Sequence, residues 1–412
     1  EPPFKNSIFK DMSKVIENSQ KDEEAWLDKL DLNELADNAM SNLSSATAFN
    51  EKEPIKNIFI TGTTGYVGIF LLPILLKNPT TNLCCLVRDK SKEEGLSRIA
   101  IAAQKHEVEL PSDWQNRVQV FPGVMDQDKF GLNDADYDYL AKNIDSIIHI
   151  ASIIRLMDPL STIYPTNVLG VSRIIKLASE HKVKQINYIS TIAVHYALQD
   201  YPKEQLVPEN MNITRWRDID LTYEKTKIMG ENLLYRARCR NVPVNILRPS
   251  SITWDSSKTK PFINDDAFVK FFKCCHAMGC YPKSGLSINI VPVNYVAEGI
   301  ATVVFDRYGY SNNYHICSRK SLQVSEVYGM LKNSGANFEE EEFGTWHQKL
   351  HDSFIGGFIS LYFKDNLANE EAGHRQYDGT EMNKLLLDKG LEAFSITSDY
   401  LGLLTSNMDK IQ

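Results

Sequence analysis

The chain has 412 residues, with 43% hydrophobic and 24% charged residues, the balance of an ordinary soluble globular protein of roughly two domains. Its formal net charge of −8 argues against a broad nucleic-acid surface. No apolar run reaches the ~18 residues expected of a membrane span, and the longest, "VGIFLLPILL", is interrupted by Pro73.

Residues 1–53 read as a charged, helix-prone extension, clearest at "KDEEAWLDKLDLNELADNAM", followed by the linker "SNLSSATAFNEKEP". The first residues, "EPPFKNSIFKDMSK", are neither a signal peptide nor a basic transit peptide. They also lack an initiating Met, so the chain is expected to be a piece of a longer protein or a processed product.

From residue 54 to 254 short apolar strands alternate with helices. "NIFITG" is a strand that ends at a glycine, and "YVGIFLLPILLKN" follows at helical spacing. "NLCCLVRD" and "SKEEGLSRIAIAAQKH" repeat the pattern. "RVQVFPG" is a third strand, "IDSIIHIAS" a fourth before the helix "NVLGVSRIIKLASEHK", and "QINYIST" a fifth. The helix "LTYEKTKIMGENLLYRARCRN" and the strand "VPVNILRPSSI" close the series. Such alternation implies βαβ units and a buried parallel sheet. The fold class is therefore α/β, a Rossmann-like doubly wound parallel sheet.

Residues 255–412 form a smaller, mostly helical C-terminal subdomain, with 288–317 expected to return to the core. There "DDAFVKFFKCCHAMGCYP" looks helical, "INIVPVNYVAEGIATVVFD" is a strand feeding a helix, and "NNYHIC" is a short strand. The acidic run "FEEEEF" reads as a solvated face.

The seven cysteines (Cys84, Cys85, Cys239, Cys274, Cys275, Cys280 and Cys317) include no CxxC pair and are odd in number. They do not read as a disulfide framework or a zinc site. A reducing, cytoplasmic setting fits them best.

"TGTTGYVG" places Gly62, Gly65 and Gly68 between a strand and a helix, near the start of a βαβ unit. That context makes it a dinucleotide loop. Gly62 would permit the tight turn, Gly65 the approach of a pyrophosphate, and Gly68 the packing of the helix. Thr64, Tyr66 and Val67 complete the loop, and the helix N-terminus supplies N–H donors. An acidic residue ending the second strand would grip the ribose of NAD. This strand ends "CLVRDK", with Arg88 there and Arg98 one helix later. Guanidinium groups suit a 2′-phosphate, so the reading favours NADPH. Asp89, turned inward, would oppose it.

Tyr223 and Lys227, four apart, share one helix face. An adjacent ammonium is expected to lower a phenol pKa from about 10. Such a tyrosine can protonate a carbonyl oxygen as hydride arrives. The preceding strand ends in Ser190 and Thr191, at the edge where a doubly wound sheet binds its ligands. A hydroxyl there can stabilise developing negative charge.

Glycine loop, Thr191, Tyr223 and Lys227 in this order resemble the short-chain dehydrogenase/reductases. The resemblance makes Thr191 rather than Ser190 the catalytic hydroxyl. It puts Ala151 and Ser152 of "HIAS" beside the cofactor and Asn167 of "TNVLG" in the place that orders the active-site lysine. "RPSSI" resembles the family's "RPG.I", with Ser250 in place of glycine, which adds Pro249, Ser250 and Ile252 to the cofactor candidates. "FPGVMD" resembles "GDL" but carries Val124 where an aspartate usually contacts adenine, so that contact is not carried over.

From about residue 54 to the end, the chain is more narrowly similar to the thioester reductase domains of nonribosomal peptide synthetases, carboxylic acid reductases and α-aminoadipate reductases. "CLVR", "MDQDKFGLNDADYDYLAKNIDSIIH", "FVKFFKCCHAMGCYPKSGLSINIVPVNYVAEGI", "EFGTWHQKL" and "YDGTEMNKLL" carry this match. It implies NADPH-dependent reduction of an acyl or peptidyl thioester on the phosphopantetheine arm of a carrier protein. The product would be an aldehyde or, after a second hydride, an alcohol. As an excised domain it is expected to be monomeric, with residues 1–50 the candidate carrier-docking surface on position alone.

Three other readings compete. A fatty acyl-CoA or acyl-carrier reductase shares much of the pattern. A sugar-nucleotide epimerase or dehydratase would retain NAD, which Arg88 disfavours. A non-catalytic redox sensor would have no use for Tyr223.

Overall fold

The computed structural model describes residues 27–155, 158–198, 200–202, 205–219, 221–259, 267–306, 311–333, 338–352 and 375–407. The apolar segments form β1 (Asn57–Thr61), β2 (Asn82–Val87), β3 (Val118–Pro122), β4 (Ser146–His149), β5 (Gln185–Ile189) and β6 (Val244–Pro249). Short strands follow: β7 (Ser251–Thr253), β8 (Cys280–Pro282), β9 (Ser287–Ile288), β10 (Ile290–Pro292), β11 (Asn313–Ile316), β12 (Leu322–Gln323) and β13 (Glu339–Glu341). The main sheet has the order β11-β6-β5-β4-β1-β2-β3, every neighbouring pair parallel. The order reverses beside β1, so ligand is expected where the carboxyl ends of β1 and β4 diverge.

Side chains alternate across this sheet and divide the core in two. Ile58, Ile60, Leu83, Cys85 and Val120 face one layer, and Phe59, Cys84, Leu86 and Phe121 face the other. The helices are α1 (Leu32–Ala39), α2 (Tyr66–Leu76), α3 (Lys92–Lys105), α4 (Trp114–Arg117), α5 (Asp134–Asn143), α6 (Leu160–Asn167), α7 (Leu169–Ala178) and α8 (Thr222–Cys239), then α9 (Ala267–Met278), α10 (Val293–Phe305), α11 (Val324–Asn333), α12 (Phe343–Asp352), α13 (Thr380–Leu387) and α14 (Ser398–Ser406). Helices α2, α3, α10 and α13 cover the first layer; α1, α5, α6, α7 and α8 cover the second.

Helix α1 is capped by the Asp31 carboxylate and buries Leu32, Ala36 and Ala39 in the second layer. Asp37 pairs with Arg236 of α8 at 2.7 Å. A third core, with Trp254, Phe271, Phe272, Tyr328 and Trp346, belongs to the C-terminal region.

One local reading needs correction. The helix read from Asn167 begins at Leu160 and divides at Val168 into α6 and α7, where Pro165 withholds an N–H from the helix ladder. The acidic run is a solvated face, as read: Glu339, Glu340 and Glu342 are exposed, while β13 pairs with β8 and the half-buried Glu341 accepts from Cys280 Sγ and Lys349 Nζ. Among the described residues no helix is long and apolar enough to cross a membrane.

Candidate functional site

At the carboxyl end of β1 the backbone itself is the device. Gly62 has a φ of +81°, and a Cβ there would lie 2.8 Å from the Ala151 amide nitrogen. A Cβ at Gly68 would lie 2.2 Å from the Gly62 carbonyl oxygen. Side chains are thus excluded at both positions, and loop, helix and the exit of β4 close on one another. Gly65 is exposed and begins α2 with no side-chain cap, so the first-turn N–H groups are the donors an anion would take. Thr64 and Val67 are half-buried beside it. The Tyr66 side chain turns away, its hydroxyl donating to the Thr253 carbonyl at 3.1 Å, which leaves its backbone for any ligand.

The neighbouring strand ends carry hydroxyls. Thr61 Oγ1 accepts from the Ala151 amide at 3.2 Å and shares a hydrogen bond with His149 Nδ1 at 2.7 Å. Burial, with the Lys227 charge adding, pushes His149 down to about 3, so the ring is neutral. Ser152 Oγ and Ser250 Oγ, at the exits of β4 and β6, are buried without a hydrogen-bond partner. Orphaned hydroxyls at two strand exits on the carboxyl edge of the sheet are what a bound polar ligand would satisfy. Pro249 is buried in β6, and Ile252 packs against the first core layer.

Arg88, at the end of β2, is exposed, and its side chain makes no hydrogen bond or ion pair among the described residues. Arg98 Nη1 donates to its carbonyl at 2.6 Å, which sets the two guanidinium-bearing residues together. Asp89 lies 3.9 Å from Arg98. Its carboxyl is held below the usual range, chiefly by a hydrogen bond with Glu94, whose own pKa the same contact raises.

On α8 the geometry departs from expectation. Lys227 Nζ donates to the Ile189 carbonyl at 2.7 Å, and lies 4.8 Å from the Tyr188 ring and 5.7 Å from the Tyr223 ring. Burial pushes this lysine down to about 7, with Glu231 opposing. The phenol of Tyr223 is raised, not lowered, first by burial and then by the Glu224 carboxyl. Desolvation outweighs an ammonium that is engaged elsewhere. A tyrosine so held is a firm proton carrier at neutral pH rather than a tyrosinate.

Thr191 Oγ1 accepts from the Ala193 amide at 3.2 Å and caps a 3₁₀ turn over Ile192–Ala197, which leaves its proton for a ligand oxygen. Ser190, only 3% exposed, donates instead to Glu231 at 2.7 Å. Among the described residues Asn167 makes no hydrogen bond to Lys227. Its amide binds the Ile153 backbone (2.8 and 3.0 Å) and Thr226 Oγ1 (3.0 Å), and so ties the β4 exit to α8 one residue before the lysine.

Sequence reasoning missed the Glu231–Arg248 pair, both side chains 0% exposed and joined at 2.8 Å. A charged residue within the apolar run of β6 was the available signal. It also missed Glu209, whose carboxylate accepts from the His315, Glu381 and Met382 amides and starts α13. All seven cysteines are free and six are buried. Burial raises those six thiols, Cys84, Cys85 and Cys317 to about 12, which makes them poor nucleophiles. No cluster among the described residues could hold a metal ion.

A sequence profile of the male sterility protein family of NAD-binding domains matches residues 60–300. A linear gramicidin synthase protein of Brevibacillus parabrevis is 25% identical over 352 residues, 82% of this chain and 7% of that protein. L-2-aminoadipate reductase of Schizosaccharomyces pombe is 25% identical over 349 residues, 80% of this chain and 24% of that protein. The chain therefore spans a quarter or less of these relatives. The terminal R domain of the myxalamid PKS-NRPS pathway superposes with a TM-score of 0.81 at 23% identity, covering 89% of this chain and 94% of that one. A thiolation-reductase di-domain of an archaeal nonribosomal peptide synthetase gives 0.72 at 21% identity, covering 94% and 82%. Both likenesses are likenesses of fold.

Proposed function

Because the chain belongs to the male sterility protein family of NAD-binding domains, we propose that it is an NADPH-dependent reductase of an acyl or peptidyl thioester presented on a carrier protein's phosphopantetheine arm. The product is an aldehyde. The observation that supports this reading is a protonated Tyr223 whose ring lies 5.7 Å from a buried Lys227, which grips Ile189, two residues before Thr191 and its uncommitted proton. The two relatives described above fit it. One is a linear gramicidin synthase and the other is named for reducing an amino acid. The di-domain neighbour joins a thiolation domain to a reductase. Seven free thiols fit a reducing, cytoplasmic setting, and no part of the reading requires more than one copy of the chain.

The loop accommodates the cofactor: a Cβ would fill the cradle at Gly62 and Gly68, and the Ser152 and Ser250 hydroxyls await partners. When bound there, the nicotinamide supplies hydride. Residues Gly62–Gly68 would take the pyrophosphate. Arg88 and Arg98, joined at the Arg88 carbonyl, would receive a 2′-phosphate, which favours NADPH over NADH. Thr191 and Tyr223 donate to the thioester oxygen as it gains charge, and Tyr223 hands over its proton. Lys227 keeps one proton on the Ile189 carbonyl and offers the others to ribose hydroxyls. The hemithioacetal then collapses to aldehyde and carrier thiol. No enzyme thiol takes part.

The test is NADPH consumption with a carrier-loaded thioester, a small thioester and a long-chain acyl-CoA, with products identified. Tyr223→Phe should lower turnover by about 10²–10⁴-fold. Unchanged turnover in that variant would sink the mechanism.

A further inference from the structure

We propose that Glu231 is a positioning residue for the reduction: through Ser190 it fixes the strand end that presents Thr191, one helical turn along from Lys227, which holds the preceding residue of that strand. The proposal rests on the reductase reading above.

The geometry is a double grip. Lys227 and Glu231 lie one turn apart on α8 and take consecutive residues of the same strand end. Lys227 Nζ holds the Ile189 carbonyl at 2.7 Å, and Glu231 Oε1 accepts from Ser190 Oγ at 2.7 Å. The next residue is Thr191. Its hydroxyl is thus delivered by a backbone that α8 clamps immediately upstream, with Tyr223 on that same helix. A shift of Glu231 would move Thr191 relative to Tyr223, the two donors that must converge on one oxygen.

The carboxylate is held from three elements. Oε1 also accepts from Arg248 Nε at 2.9 Å, and Oε2 accepts from Arg248 Nη2 at 2.8 Å and from the Tyr235 hydroxyl at 2.6 Å. Arg248 is anchored in turn on the Met211 carbonyl at 2.9 Å. Four hydrogen bonds satisfy a carboxylate that has no exposure. For stability alone, a well-packed apolar pair would serve as well. The surroundings of Lys227 explain why an anion is required. Tyr188 on β5 and Tyr223 on α8 present neutral rings, and His149 on β4 is neutral. Arg248 on β6 is a cation whose charge Glu231 offsets. Among the described residues Glu231 is the anion that acts on the lysine, against a burial that drives it toward neutrality.

The test compares wild type with Glu231→Gln and Ser190→Ala. Gln keeps the shape and removes the charge; its one oxygen can accept from one of the two hydroxyls while its amide NH2 donates to the other. Thioester reduction requires protonated Lys227, so turnover falls as pH rises through the lysine's titration. In Glu231→Gln this falling limb should move to lower pH by about half a unit or more. The affinity for NADPH should change little. The Lys227 titration itself, followed by NMR of isotope-labelled lysine side chains and assigned with Lys227→Arg, should move in the same direction. Ser190→Ala keeps the ion pair and should lower kcat about tenfold with no movement of the limb.

A folded Glu231→Gln that matches wild type in both kcat and lysine titration would overturn the proposal. If that variant does not fold, Ser190→Ala decides: wild-type kcat overturns the proposal and a reduced kcat at unchanged melting temperature supports it. Failure of the reductase reading looks different, because wild type then reduces no thioester at all. The NMR titration of Lys227 tests Glu231 in that case too.

Discussion

The two halves of the site are built from opposite materials. Around β1 the chain prepares a ligand site by leaving atoms out: Gly62 and Gly68 have neighbours at 2.8 and 2.2 Å from where a Cβ would be. Around β5 and α8 it packs charged and polar side chains into the interior, with Lys227, Glu231 and Arg248 all buried. The first half is shaped by sterics, which salt and pH do not alter. The second is shaped by desolvation and pairing, which depend on both. The difference teaches that damage to one half should show in binding and damage to the other in turnover.

The sharpest way to break that contrast is Thr191→Val. It removes a donor from the α8 side, so kcat should fall about 10²–10³-fold, while NADPH affinity, read by fluorescence titration, stays at the wild-type value. A comparable loss of cofactor affinity would erase the division. Next in size is Gly68→Ala. The added Cβ must displace the Gly62 carbonyl, and overpacking of this kind costs about 1–3 kcal/mol, or roughly 5–150-fold in cofactor Kd. At saturating NADPH the variant should turn over normally. The smallest effect is expected at the exposed Arg88. Arg88→Ala should reduce the preference for NADPH over NADH by about tenfold, measured as the ratio of the two kcat/KM values, with the NADH value itself unchanged.

How much of this could be read before the structure differs between the halves for the same reason. The seven-stranded doubly wound sheet was legible because apolar runs such as "NIFIT" and "NLCCLV" carry their burial in their own composition. The glycine loop was legible because a missing side chain is a property of one residue. The α8 side was legible only as a spacing. That Tyr223 and Lys227 share a face follows from helical periodicity, but the direction of their titration does not. It depends on how fully β4, β5 and the 3₁₀ turn desolvate them. That the Asn167 amide binds the Ile153 backbone and Thr226, one residue before Lys227, could not be read from the sequence, because those partners meet it only in the folded chain. Glu231 was invisible for a related cause. A glutamate in a helix that also carries Lys225, Lys227, Arg236 and Arg238 reads as one more surface charge until Arg248 is brought opposite it.

The place of β11 in the sheet has a consequence for biosynthesis. β11 pairs with the outer edge of β6, with His315 opposite Arg248, but the ribosome makes the two strands far apart in time. Between them it must translate β7, α9, the strands β8 to β10 and α10. For that whole interval the nascent chain carries β6 as a bare edge, the kind of surface that recruits foreign strands. The strand that carries Arg248, and so the anchor of Glu231, is sealed only when Asn313–Ile316 arrives. Completion of the catalytic frame and closure of the sheet are therefore one late event in synthesis.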